Sequence, residues 1–282
     1  MDGKAVSAAV KERIKNEVAE LSKSGVGTGL AVIIVGDDPA SKIYVGSKEK
    51  ACADLGIISK KFALPENTEE EELLELIYKL NNNPEVNGIL CQLPLPKHIN
   101  ESAVINAISP EKDVDAFHPQ NVGKIMIGDF DYLPCTPAGI MEILKAYDID
   151  PCGKKCVVIG RSNIVGKPMA MLLLHKNGTV TICHSKTRDL KEICRTADIL
   201  VAAVGKPRFV TADMVKDGAV VIDVGMNRPK GEKLCGDVDF DNVAEKCSYI
   251  TPVPGGVGPM TIAMLMQNTL TAAKKQNGIP LK

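Results

Sequence analysis

The stretch VVIGRSNIVGKPMAMLLL, residues 157–174, decides the fold class. A β-branched run stops at Gly160, a short polar loop follows, and an apolar segment begins beyond Gly166 and Pro168. This reads as a buried strand feeding a helix through a glycine turn, the unit from which helix-covered parallel sheets are built. Glycines here suit a tight turn and a close backbone approach to a pyrophosphate at a helix N-terminus. The spacing is not the common G-x-G-x-x-G, and strand-to-helix turns also carry glycine for steric reasons alone, so the loop leaves both readings open.

The next strand, TVTICHSKT (residues 179–187), sharpens the choice. A site for NAD ends this strand with an acid that holds the ribose hydroxyls. Here the strand ends in His184, Ser185, Lys186 and Thr187, and Arg161 projects from the glycine loop. Cations and hydroxyls in place of a carboxylate suit a 2′-phosphate, hence NADP. A solvated basic loop is the competing reading.

The same alternation extends outward in both directions. Downstream, ADILVAAVG (197–205) and GAVVIDVG (218–225) read as strands, with a helix near Leu190 to Thr196. Upstream, LAVIIVG (30–36) is a strand followed by a helix to Leu55; KKFAL (60–64), EEELLELIYKLNN (70–82) and NGILCQL (87–93) read as strand, helix, strand, with a helix from Glu101 to Ile108. Residues 112–136, rich in Gly, Asp and Pro, break the rhythm and read as an irregular boundary or cleft segment. PAGIMEILKAYDI (137–149) reads as a connecting helix with Pro137 at its first position, and a last helix runs from Met260 to Lys274. The expected fold is α/β: two three-layer α/β domains, the second a Rossmann-type NADP-binding domain, with a cleft between them.

The bulk numbers restrict function. In 282 residues, 45% hydrophobic and 24% charged, the composition is that of a globular protein of one large or two medium domains. A formal charge of -1 gives no electrostatic pull toward nucleic acid or acidic lipid. Nine scattered cysteines form no CxxC pair and no Cys/His cluster at metal spacing, so free thiols in a reducing compartment and no metal are expected. The opening segment has helical periodicity with interspersed lysines and glutamates, unlike a signal or transit peptide, and no apolar run approaches a membrane span; a cytoplasmic location is expected.

SKIYVGSKEK (41–50) poses a separate question. Asp38-Pro39 supplies a helix start and Gly56 a stop. At 3.6 residues per turn, Tyr44, Lys48, Ala51, Cys52 and Leu55 share one face, while Lys42, Glu49, Lys50 and Asp54 fall outside it. Lys48 is the one charged member of an apolar stripe. Its stem can lie on the core while the ammonium reaches water. Alternatively, Gln92 at a strand's carboxyl end and Asp115 in the irregular segment can orient a desolvated lysine for proton exchange. Singly, Gln92 can end a strand by bonding backbone and Asp115 can cap a turn. TPVPGGVGPMT (251–261) lets Gly255, Gly256 and Gly258 bend the chain close to a flat ligand, with Pro259 starting the helix; on its own it reads as a turn.

Taken together, YVGSKEKAC, QLPLP, KDVDAFHPQNVG, PCTPAGIM, GRSNIVGKP, AVGKP, DVGMNR and TPVPGGVGPMT resemble the bifunctional methylenetetrahydrofolate dehydrogenase/methenyltetrahydrofolate cyclohydrolase family. The resemblance runs over essentially the whole chain. It implies a folate-binding catalytic domain from residues 1–136 with 255–282, a Rossmann-type NADP domain from 137–254, a site in the cleft and a homodimer. It implies that Tyr44 packs on the folate, Lys48 is the general acid/base, Gln92 orients Lys48, and Asp115 pairs with the pterin. Cys91, Leu93 and the loop Pro254, Gly255, Gly256, Val257, Gly258 line the folate pocket. Gly160, Arg161 and Ser162 hold the cofactor phosphates, with Ser185 near the 2′-phosphate and Met226 near the nicotinamide. The implied chemistry is hydride transfer from 5,10-methylenetetrahydrofolate to NADP, then hydrolysis of the methenyl product to 10-formyltetrahydrofolate.

The chain departs from the family pattern at Ala116, where glycine is more usual; a leader before DGK and a formate ligase domain are not expected. Some relatives prefer NAD or lack one activity; Lys48 and Arg161 favour the bifunctional, NADP-using form. Two other readings share the architecture. An NADP-dependent dehydrogenase of a small hydroxy or amino acid has no use for Tyr44 stacking, and a nucleotide-sensing module without turnover has none for Lys48.

Overall fold

The computed structural model describes residues 1–281, at positions 39 and 40 by their backbone alone. In chain order the elements are α1 (Gly3–Lys23), β1 (Gly29–Val35), α2 (Pro39–Leu55), β2 (Ile58–Leu64), α3 (Glu70–Asn81), β3 (Gly88–Cys91), α4 (Glu101–Ala107), α5 (Pro119–Ile127) and α6 (Cys135–Ala146). There follow β4 (Lys155–Ile159), α7 (Gly166–His175), β5 (Thr179–Cys183), α8 (Leu190–Cys194), β6 (Ile199–Ala202), β7 (Val220–Asp223), α9 (Phe240–Ala244), β8 (Tyr249–Ile250) and α10 (Val257–Gln276).

The chain divides into two compact units, one of residues 9–135 with 262–282, the other of residues 1–8 with 136–261. In the first, β1 lies between β2 and β3, and both pairings are parallel. β1 and β3 are buried along their length, as continuous apolar runs in a helix-covered parallel sheet must be. Their inward residues pack with Leu73, Ile77 and Leu80 of α3 and Val104 of α4. In the second unit five parallel strands run in the order β5-β4-β6-β7-β8. After β4 the chain goes to one side, to β5, and then returns to the other, to β6. That reversal is where open α/β sheets form ligand crevices beyond the strands' carboxyl ends.

Most expected elements stand within a residue or two of their observed bounds, the usual uncertainty at fraying ends. The segment 112–136 is the correction, because α5 lies inside it. Its signals were present: Pro119 at the start, the His118 ring accepting the Gln120 N–H at 3.1 Å, and Gly128 left-handed at the stop. Its periodicity was not, since Val122, Met126 and Ile127 are exposed and only Asn121 and Ile125 are buried. α6 and α10 also begin earlier than expected, so Pro137 and Pro259 each stand third in their helix rather than first. A first-turn proline needs no intrahelical N–H partner, so either position is tolerated.

Candidate functional site

α2 forms as its wheel requires. Asp38 accepts the Ser41 N–H at 2.7 Å and Gly56 closes the helix at φ 77°. Ala51, Cys52 and Leu55 are buried, Tyr44 is half-buried, and Lys42, Lys50 and Asp54 are exposed. Lys48 is 8% exposed, so nearly all of the side chain, stem included, lies against the protein. Its Nζ donates to Gln92 Oε1 at 2.9 Å.

Gln92 stands one residue beyond β3, where its own N–H still donates to the Ile33 carbonyl at 2.8 Å. Its Nε2 donates to the Leu93 carbonyl at 2.7 Å, which fixes the amide with its oxygen turned toward Lys48. Cys91 is buried, and its thiol is pushed up to about 12 by burial and then by the Asp115 charge.

The two aspartates of KDVDAF divide the alternatives that the sequence left open. Asp113 does the turn-capping: it is buried and accepts the His118 N–H at 2.8 Å, the Phe117 N–H at 3.2 Å and Asn121 Nδ2 at 2.8 Å. Asp115 is thereby left for other work. Burial pushes its carboxyl up to about 6, against the lowering influence of the Lys48 charge. The Cys135 thiol lies 3.8 Å from its Oδ1. Asn268 of α10, which sequence reasoning missed, donates to the Val114 and Leu133 carbonyls, each at 2.8 Å, and so ties the terminal helix to this turn. Ala116 sits at φ 58°, a left-handed conformation that glycine would adopt with less strain. Tyr44, one turn before Lys48, has its hydroxyl raised by burial.

In the unit of residues 136–261 the glycine loop is built by close backbone contact. A β-carbon on Gly160 would overlap the Ala203 carbonyl oxygen, and one on Gly166 would overlap the Gly160 carbonyl oxygen. Ser162 Oγ accepts the Val165 and Gly166 N–H groups at 3.2 and 3.3 Å, holding the first turn of α7 against the loop. These features fit a dinucleotide: a loop without side-chain bulk at a helix N-terminus, at the switch point of the sheet. Arg161 and Ser185 are exposed, and no acid ends β5. Met226 is half-exposed, its sulfur 3.7 Å from where a Gly258 β-carbon would stand. The loop from Pro254 to Gly258 belongs to this unit, with Val257 and Gly258 already in α10. A β-carbon on Gly3 would overlap the Gly256 carbonyl oxygen, a packing role for the opening residues that no local pattern signals.

Among the described residues no helix is long and apolar enough to cross a membrane. All nine cysteines are free.

The catalytic domain of tetrahydrofolate dehydrogenase/cyclohydrolase matches residues 1–115, and that family's NAD(P)-binding domain matches residues 134–277. The bifunctional protein FolD of Acetivibrio thermocellus is 63% identical over 276 residues, 98% of this chain and 97% of that one. The crystal structure of the bifunctional FolD dehydrogenase/cyclohydrolase of Campylobacter jejuni superposes with a TM-score of 0.95 at 53% identity, covering 97% of this chain and 98% of that one. The Trypanosoma brucei FolD, crystallised with NADP cofactor and an inhibitor, gives a TM-score of 0.93 at 41% identity, covering 98% of this chain and 97% of that one. The chain belongs to the tetrahydrofolate dehydrogenase/cyclohydrolase family.

Proposed function

We propose that the protein is a bifunctional one-carbon enzyme that oxidises 5,10-methylenetetrahydrofolate with NADP and hydrolyses the resulting methenyl compound, and that Lys48 moves the protons of the second step. The observation that carries this is the buried Lys48 ammonium, hydrogen-bonded to Gln92 at 2.9 Å and electrostatically coupled to Asp115. Lysines are rarely this buried, so its placement asks for a task.

NADP, when bound, accepts the hydride from the one-carbon bridge. The chain's part in that step is alignment of two flat ligands, with Tyr44 against the folate ring and Asp115 on the pterin. Hydrolysis needs more. Water adds to the methenyl carbon, and Lys48 in its neutral form takes the proton released. The resulting ammonium then protonates N5 as the carbon–N5 bond breaks, which opens the ring to the 10-formyl product and leaves one proton in solution. Gln92, locked by the Leu93 carbonyl, keeps Nζ aimed through both transfers. Cys91, Leu93 and the loop Pro254 to Gly258 are assigned to line the folate. Gly160, Arg161 and Ser162 are assigned to the phosphates, Ser185 to the 2′-phosphate, and Met226 to the nicotinamide end. The functional division follows these roles: residues 1–136 with 255–282 for folate, and 137–254 for the nucleotide.

A homodimer belongs to the same reading. β5 ends the larger sheet with an unpaired edge on which Ile182 is exposed, a feature that pairing with a second copy would cover. Light scattering in solution tests it. A cytoplasmic location is consistent with nine free thiols.

The defining experiment mixes purified protein, methylenetetrahydrofolate and NADP and follows NADPH and the methenyl absorbance separately. NADPH formed without hydrolysis of added methenyl compound would leave a dehydrogenase only. Absence of both signals would overturn the reading.

A further inference from the structure

Asp237 is fully buried and carries four hydrogen bonds on its two carboxylate oxygens. Oδ2 accepts the Val204 N–H at 2.6 Å and the Gly205 N–H at 2.9 Å. Oδ1 accepts the Lys206 N–H at 2.9 Å and Asn227 Nδ2 at 2.8 Å. Three successive amides converging on one carboxylate form an anion-binding nest, and here the chain supplies the anion itself. Asp237 is held in turn, its own N–H donating to Asp223 Oδ1 at 2.8 Å. Asp223 also accepts the Gly225 N–H at 2.9 Å and the Val238 N–H at 3.0 Å.

The two segments joined in this way are the loop that follows β6, residues 203–207, and the loop that follows β7, residues 224–228. Both leave the carboxyl ends of strands on the same side of the switch point as each other, β6 next to β4 and its glycine loop and β7 one strand further out. Because Gly160 packs against the Ala203 carbonyl, the position of the β6 loop also sets the floor of the glycine loop. The arrangement further settles which N–H groups remain for a ligand's phosphates. The nest at 204–206 is filled from within, so the pyrophosphate is left to the glycine loop and the first turn of α7.

We propose that Asp237 is a positioning residue for the dinucleotide: its carboxylate clamps the β6 and β7 loops into the shape that receives NADP. This rests on the NADP reading of the preceding section. An asparagine side chain in its place has the same size, but the amide nitrogen would confront at least one N–H that the carboxylate oxygen accepts, so the clamp opens on one side.

The test is Asp237→Asn in the full chain, with three readouts: NADPH binding by fluorescence titration, cyclohydrolase turnover of added methenyltetrahydrofolate without any nucleotide, and amide hydrogen exchange at Val204, Gly205 and Lys206. The expected result is a tenfold or greater rise in the NADPH dissociation constant and in the KM for NADP. The dehydrogenase kcat should fall less than threefold, cyclohydrolase turnover should stay within twofold, and the three amides should exchange faster. Equal loss of both activities would make Asp237 a general structural residue and overturn the proposal, as would unchanged NADPH affinity. Should the variant not accumulate folded, Asn227→Ala, which removes a single partner, decides: a threefold rise in the dissociation constant supports the clamp and none overturns it. Wild-type protein that binds no NADPH would sink both this proposal and the cofactor reading. Normal wild-type binding with an indifferent variant sinks this one alone.

Discussion

Lys48 is 8% exposed and hydrogen-bonded to a fixed amide, whereas Arg161 stands exposed on the glycine loop. Both are cations assigned to a ligand, and the difference follows from what each must do. A proton carrier has to be held within hydrogen-bond reach of one reacting atom, and a buried side chain fixed by an amide meets that demand. A phosphate-binding guanidinium keeps its charge throughout and gains from reach and a planar donor array, which an exposed position supplies. The region assigned to proton transfer is therefore built from side chains placed by a core, and the region assigned to the nucleotide mostly from backbone placed by turns. Its two buried carboxylates, Asp223 and Asp237, serve that backbone rather than the reaction.

The largest effect expected from this contrast is at Lys48. Lys48→Ala should lower cyclohydrolase turnover by about 10²–10⁴-fold, the range for loss of a general acid/base. NADPH binding should be unchanged. Retained hydrolysis in a folded variant, measured by decay of the methenyl absorbance, would erase the distinction between the two cations.

Asp115 comes next, through pH. Its carboxyl is raised to about 6 in the folded chain, so the native state holds this proton more tightly than the unfolded state does. That contribution to stability is present below the usual carboxylate range and is lost as pH rises through about 6. Asp115→Asn should therefore gain stability relative to wild type on going from about pH 4 to about pH 7.5, by on the order of 2 kcal/mol. Denaturant midpoints at the two pH values measure it, and a pH-independent difference would show that the carboxyl is not desolvated.

Arg161→Ala should raise the KM for NADP about tenfold, the loss of roughly one charge-assisted contact, and leave the KM for NAD nearly unchanged. Equal effects on both nucleotides would remove the 2′-phosphate assignment. The smallest effect is at Ala116, whose φ of 58° costs about 1 kcal/mol for a residue with a β-carbon. Ala116→Gly should recover part of that in thermal unfolding; destabilisation would mean that the buried methyl packs better than the backbone is strained.

Much of this architecture was legible in the residues themselves. The wheel of α2 placed Lys48 on the apolar face and left open whether its ammonium met water or partners, and the strand-glycine-helix run at 157–174 is the unit from which the second sheet is built. α5 escaped because its apolar residues face outward and leave no stripe to detect. Asp113 and Asp115 were indistinguishable as letters two positions apart. Only the folded turn assigns capping to the first and proximity to Lys48 to the second. Asp237 sits in a stretch without periodic signal, and the three amides it accepts lie more than 30 residues back along the chain.

By itself the sequence determined the alternation of strands and helices, the buried face of each helix and the chemistry on offer, because periodicity and side-chain type are local properties. Tertiary structure alone decided which polar groups meet. Lys48 and Gln92 are 44 residues apart, and their 2.9 Å contact exists because α2 packs on a sheet in which β3 lies beside β1 in one register. Register is set by the burial of whole strands, and no single residue encodes it.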